Sequence, residues 1–373
     1  MRILFTCVFL DGYHGSVMLV KEHAEYLSSV RGGGHDVTVG TILATPEITE
    51  FFTKQNIKVR LLSDVDVDIR YDIVFAYHWP TLDTLLERGL KCEKLVMGSL
   101  SSVSKLEAYP SYWDKASLLT TMSEMSQEAH HKNYGIPLER MLVFENNIPD
   151  AFAECQIKNL PEFPHHIAVI SNHIPKEVEN LKKFLPQECS LTLIGRRGKI
   201  YQPVTPELLN KFDIVISIGK TVQYAMGIGI PVFEYDHFGG NGYITVDIMN
   251  QEAKNNFCGR PQYRKLESAA LAAELMDGYA AARAQAPMLR ELALERFLLS
   301  KKMNELLEAI GQAKNFEGGG GSYNLAIAHG SCFLSWGMKY DRIVKDKTKY
   351  KFMASVTAVL LAISVCLNVY LLF

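Results

Sequence analysis

The run FDIVISIG (Phe212 to Gly219) reads as a buried strand that ends on glycine, and Lys220-Thr221 follow it at once. A helix opening there would offer unpaired backbone amides and the positive end of its dipole, and Lys220 adds a full charge. A diphosphate is the anion that suits this spacing, with Gly219, Lys220 and Thr221 as its ligands. A Walker A loop is not what is present, because Ile214 stands where its leading glycine belongs. The next strand, PVFEYD (Pro231 to Asp236), leads into HFGGNGY. Glu234, Asp236, Gly239 and Gly240 are therefore expected at a strand's C-terminal end, on the side of a bound donor.

A second constellation lies near the start. Asp11-Gly12-Tyr13-His14-Gly15-Ser16 follows an apolar run and opens a helical pattern. Gly12 and Gly15 would let the backbone approach a ligand, although a tight strand-to-helix turn accounts for them equally well. Asp11 or His14 could act as a general base. The turn is not GxGxxG, which argues against a nicotinamide or flavin. Ser171-Asn172-His173 and Gly195-Arg196-Arg197-Gly198-Lys199 end two further strand-like runs, and Asn172, His173 and Arg196 join the expected anion site. The pairs His130-His131 and His165-His166 read as surface and strand-start residues. HExxH and GxSxG motifs are both missing.

The elements that must position these residues alternate between strand and helix. Strand-like runs start at Ile3, His35, Asn56, Tyr71, Lys94, Ser117, His165, Ser190, Phe212 and Pro231. Helical patterns cover 16–30, 175–185, 221–229 and 290–313. Such alternation makes βαβ units around parallel sheets covered on both faces. Pro161 and Pro164 mark a connection between two domains, 1–163 and 164–315. The fold class is α/β, with two Rossmann-like doubly wound domains whose strand ends face one cleft.

Composition bounds the partners. The chain has 373 residues, with 39 Lys+Arg against 41 Asp+Glu and a net charge of −2, a balance that argues against nucleic acid. A hydrophobic content of 48% is ample for two cores and excludes wholesale disorder. The 7 cysteines are scattered without a CxxC pair, so free thiols in a reducing compartment are expected.

The apolar start MRILFTCVFL lacks a small-residue cleavage site and reads as a first strand, not an export signal. The other end differs. Residues 316–322 (FEGGGGS) read as a glycine-rich linker, and 323–351 as a basic juxtamembrane segment. Residues 352–373 (FMASVTAVLLAISVCLNVYLLF) carry no charge and make roughly 33 Å of helix, enough to cross a bilayer. The positive-inside rule then predicts a single-pass C-terminal anchor with the body on the cytoplasmic face.

Taken together, GGGHDVTV, the helix SEMSQEAHHKNYGI with VFENNIPDAF after it, and GKTVQYAMGIGIPV resemble the GT-B nucleotide-sugar glycosyltransferases, of the family 4 type, over about residues 1–313. The resemblance implies an N-terminal acceptor domain and a C-terminal donor domain, with donor phosphates near Gly219–Thr221. One departure matters: the Glu-x7-Glu pair of many retaining members is replaced by Ile216 and Tyr224. Ribose contacts would then pass to Glu234 and Asp236. In an inverting reaction Asp11 or His14 would deprotonate the acceptor, while Lys220, Arg196 and helix amides stabilise the departing diphosphate. No metal motif of the GT-A sort stands out, so neither metal nor cofactor is expected; the nucleotide-sugar is a substrate. The function implied is sugar transfer to a cell-surface polysaccharide or glycolipid acceptor, lipid-linked, at the membrane. The alternatives are a non-catalytic subunit that partners another transferase and a sugar-nucleotide epimerase.

Overall fold

The computed structural model describes residues 1–318 except 102, 103, 197 and 199. The expected anchor, the basic segment before it and most of the linker lie outside the described residues, as do Arg197 and Lys199. Among the described residues no helix is long and apolar enough to cross a membrane.

The first lobe contains β1 (Arg2–Leu10), α1 (Gly15–Ser28), β2 (Asp36–Ala44), α2 (Pro46–Thr53), β3 (Lys58–Leu61), β4 (Arg70–Ala76) and α3 (Trp79–Glu87). It continues with β5 (Lys91–Ser99), β6 (Leu118–Thr121), α4 (Glu124–Tyr134) and β7 (Met141–Val143). All its strands pair in parallel, in the order β3-β2-β1-β4-β5-β6-β7. β1 lies between β2 and β4 and is buried from Ile3 to Leu10, which is why its sequence is an almost unbroken apolar run.

After α5 (Asp150–Glu154), the second lobe holds β8 (His166–Ile170), α6 (Lys176–Glu179), β9 (Ser190–Ile194), α7 (Pro206–Leu209), β10 (Ile214–Ser217) and α8 (Lys220–Gly227). β11 (Val232–Asp236), β12 (Gly239–Tyr243), α9 (Val246–Lys254) and α10 (Ser268–Phe297) complete it. Its strand order is β12-β11-β10-β8-β9. The edge strand β12 runs antiparallel to β11, a departure from the all-parallel expectation. The turn at Asp236–Gly239 is too short for a crossover, so the chain can only fold back as a hairpin.

The long helix expected over 290–313 is two helices. α10 begins at Ser268 and carries Pro287 inside it, and α11 (Leu299–Gln312) starts after a break at Leu298 (ψ 126°). The break has a cause. Ile148 donates its amide to Phe297 O at 2.8 Å, and Leu299 donates to Ile148 O at 2.8 Å. The chain's outward and return crossings between the lobes are thus hydrogen-bonded to each other. Ile148 and Phe152 already pack in the second lobe's core, ahead of Pro161 and Pro164. α11 returns to the first lobe, where Leu299, Met303, Leu306 and Ile310 pack with α1 and β1 residues. Phe316 is buried against that lobe too and donates its amide to Glu93 O at 2.7 Å.

Candidate functional site

A cavity of about 360 Å³ opens between the lobes, where β8, β9 and β10 end and α1 and α8 begin. Tyr13, His14, Gly15 and Met18 line it from the first lobe. Ser171, Asn172, His173 and Tyr201 face them from the second, with Ser217, Lys220, Thr221, Tyr224, Asp236 and His237 deeper along the same wall.

On the first-lobe wall, His14 Nε2 lies 2.8 Å from Asp11 Oδ1, and Ser16 Oγ lies 3.1 Å from His14 Nδ1. The turn that makes this pair is closed by His14 donating its amide to Gly12 O at 3.0 Å. Asp11 thus sits behind the histidine instead of on the cavity surface. A carboxylate bonded to one ring nitrogen orients the imidazole and favours its protonated form, the arrangement of a general base.

On the opposite wall, Gly219 has φ +62° and ψ −136°, a conformation closed to side-chain-bearing residues, and this sharp turn aims α8 at the cavity. Lys220 Nζ is only partly available. It lies 2.7 Å from Glu22 Oε2, donates to Asn147 O at 3.2 Å and sits 5.3 Å from the Tyr224 ring centre. Glu22 belongs to α1, and its Oε1 accepts the Tyr224 hydroxyl. Its neighbour His23 contacts Tyr77 Oη and Asn147 Oδ1, each at 3.0 Å. Burial pushes the Glu22 carboxyl up and Lys220 pulls against it; burial pushes His23 down to about 3, so that ring stays neutral.

Asp236, at the end of β11, accepts from Ser171 Oγ at 2.8 Å and from the His237 amide at 2.7 Å. Ser171 Oγ in turn accepts the His173 amide at 2.8 Å, and the His173 and His237 rings pack edge to face, 5.2 Å apart. Asn172 Oδ1 accepts the Arg196 amide at 3.1 Å. The Arg196 side chain reaches across to Gly12: a Cβ there would lie 3.3 Å from its Nη2.

The structure therefore gathers His14, Gly15, Asn172, His173, Lys220, Thr221 and Asp236 around one cavity, with Asp11, Gly12, Arg196 and Gly219 directly behind or beside them. Three expected donor contacts are elsewhere. Glu234 is fully buried under the sheet edge, where it accepts the Gly259 amide at 2.6 Å and lies against Glu252. Gly239 and Gly240 belong to β12, where added Cβ atoms would lie 2.3 Å from Arg264 O and 1.8 Å from Glu234 O. Their lack of side chains serves backbone packing, so the expected ribose contact at Glu234 and the expected donor contacts at Gly239 and Gly240 are corrected. His130 is also no surface residue: it is buried, 2.7 Å from Ser99 Oγ, and burial pushes it down to about 4.

Sequence reasoning placed Tyr13, Ser171 and His237 only within their motifs, without a site role, and did not single out Tyr201, Ser217 or Glu22. Ser171 and His237 adjoin expected residues and share their strand-end signal. Glu22 and Tyr201 have no local signal; their partners are remote in the chain. Among the described residues, no group of three or more His, Cys, Asp or Glu side chains is placed to hold a metal ion.

No protein-family model and no curated protein matches the sequence. Solved structures do match in fold. A glycosyltransferase from Rickettsia africae ESF-5 is 14% identical, with 83% of this chain and 98% of that one covered and a TM-score of 0.53. WaaG, a glycosyltransferase involved in lipopolysaccharide biosynthesis, is 13% identical over 83% of this chain and 100% of its own, with a TM-score of 0.51. TarM is 10% identical over 83% and 99%, also with a TM-score of 0.51. With its two parallel-sheet lobes, paired crossings and returning C-terminal helix, this chain has the GT-B glycosyltransferase fold.

Proposed function

We propose that the chain is a nucleotide-sugar glycosyltransferase that delivers its sugar to a lipid-linked, polysaccharide or glycolipid acceptor. One observation carries the reading: Lys220 and Thr221 at the α8 N-terminus share a cavity with the Asp11-supported His14. In this reaction the donor diphosphate sits at the α8 amides and Lys220, which stabilise the leaving group as its bond to the sugar breaks. His14 takes the acceptor hydroxyl proton, and Asp11 stabilises the imidazolium formed. The lysine and the amides supply the charge stabilisation that a metal would otherwise give, which supports a metal-independent reaction. Ser171, Asn172, Asp236 and His237 are the polar groups available to donor hydroxyls. The uncharged stretch 352–373 and its basic flank support a membrane tether with the body on the cytoplasmic face, beside lipid-linked acceptors.

A second reading, a non-catalytic partner of another transferase, draws on Tyr224 and Ile216 at the Glu-x7-Glu positions. Thermal unfolding with UDP, GDP, dTDP, CDP, CMP and ADP separates the two. Stabilisation by one diphosphate, abolished in Lys220→Ala, names the donor class and licenses a turnover assay. A folded protein that responds to no nucleotide overturns the transferase reading and favours the second.

A further inference from the structure

Glu22 belongs to the first lobe, yet its carboxylate is buried (5% exposed) against α8 of the second. Oε2 lies 2.7 Å from Lys220 Nζ, and Oε1 accepts the Tyr224 hydroxyl. Lys220 and Tyr224 both line the cavity, and Glu22 lies behind them. Tyr224 is held in turn by Phe152, stacked at 4.4 Å with the rings 18° apart. The Glu22 carboxyl thus backs the Lys220 ammonium at the mouth of α8.

The placement has an electrostatic consequence. In a buried setting of low dielectric, a carboxylate in contact with an ammonium cancels much of its pull on a second anion. A pair serving stability alone has no need of the cavity's own lysine, and a buried pair is in any case weak evidence for stability. The pair also spans the lobes, so Glu22 holds the ammonium only while α1 and α8 are together, whereas Asn147 O, 3.2 Å away, lies on the crossing.

We propose that Glu22 is a positioning residue of this cavity: it fixes the Lys220 ammonium from the opposite lobe and moderates its charge, so that a bound diphosphate can be released. The proposal rests on the reading of Lys220 as a diphosphate ligand. Glu22 acts through Lys220 and needs no contact with the substrate.

Calorimetric titration of the full chain with inorganic pyrophosphate tests it, using wild type, Glu22→Gln, Lys220→Ala and the double variant. Gln keeps the shape and still accepts from Tyr224 while removing the charge. E22Q is expected to bind pyrophosphate about fivefold more tightly and to release it more slowly. That gain should vanish when Lys220 is Ala, because the two residues act as one unit. A purely structural role predicts unchanged or weaker binding in E22Q, and that result overturns the inference. If K220A alone has lost binding at the same time, the diphosphate site itself still stands. If wild type binds no pyrophosphate, the site assignment falls and this inference with it. Should E22Q not fold, E22A must show the same gain.

Discussion

The hydroxyl of Tyr201, carried by the second lobe, accepts the backbone amide of Tyr13 in the first at 2.8 Å. The two rings lie 5.3 Å apart. This contact depends on Gly12, where an added Cβ would stand 2.3 Å from the Tyr201 hydroxyl. The obstacle is the tip of a side chain, so Gly12→Ala displaces Tyr201 and leaves the backbone in place. G12A is expected to stay within about 1 kcal/mol of wild-type stability but to alter pyrophosphate binding, since Tyr201 lines the cavity. Tyr201→Phe removes the obstructing hydroxyl, so G12A combined with Y201F should lose less than the sum of the single losses. Urea unfolding and pyrophosphate titration of the four proteins check this; strict additivity would mean that the two positions do not meet.

Asp213 gives a stability prediction away from the cavity. It is buried at the start of β10, 2.6 Å from Lys158 Nζ, and accepts the amides of His165 and His166, each at 2.8 Å. Burial alone would raise its pKa; the lysine and the two amides outweigh it, and the carboxyl titrates below its usual 3.8. Its contribution is therefore complete above the ordinary carboxyl range and is lost as pH falls through the lowered folded value. Asp213→Ala leaves the His165 and His166 amides without their acceptor and Lys158 with only the Phe212 carbonyl, and should cost about 2–3 kcal/mol at pH 7. The deficit against wild type should shrink in acid. A deficit that stays constant from pH 7 to pH 2 would show that Asp213 stabilises by packing and not by charge.

How far the sequence could be read depended on the range of the contacts. The inner strands were legible because they are buried on both faces and become unbroken apolar runs, as in Ile3–Leu10 and Ile214–Ser217. The Gly219-Lys220 turn was legible because strand, glycine and helix are contiguous. Glu22 was not. On α1 it is one of several polar residues, and the tyrosine that receives it is 202 positions away. Glu234 misled for the opposite reason: its strand-end position suggested ligand contact, but the β12 hairpin folds over it. The start of α10 was missed although SAALAAEL has high helix propensity, and Pro287, which ordinarily ends or starts a helix, lies inside it.

Glu234 supports a prediction of the opposite sign to Asp213. Burial, and then the facing carboxylate of Glu252, push its pKa from 4.5 up to about 8. The folded state therefore holds this proton more tightly than the unfolded chain does. The associated stability is present below pH 4.5 and declines as pH rises toward about 8. Glu234→Gln can still accept the Gly259 amide and can donate to Glu252 without any ionisation. The variant should match wild type near pH 5 and exceed it at pH 9, as read by denaturant midpoints across that range. A variant less stable than wild type at pH 9 would mean that the charged pair, not the shared proton, is the native arrangement.

The His14–Asp11 pair carries the kinetic prediction. Their 2.8 Å contact engages Nε2, the other ring nitrogen lies 3.1 Å from Ser16 Oγ, and His14 lines the cavity. If His14 takes the acceptor proton, His14→Ala should lower kcat by about 10²–10⁴ with little change in donor KM. Asp11→Asn keeps the size of the side chain but removes the charge that stabilises the imidazolium. It should lower kcat less and shift the acidic limb of the kcat/KM profile toward lower pH, because the ring loses its anionic partner. Steady-state rates with the donor named by the nucleotide screen, measured across pH for wild type and both variants, decide the matter. A His14→Ala protein with undiminished kcat would move the base to another group on the cavity wall. A drop confined to KM would recast the histidine as a substrate hydrogen-bonding residue.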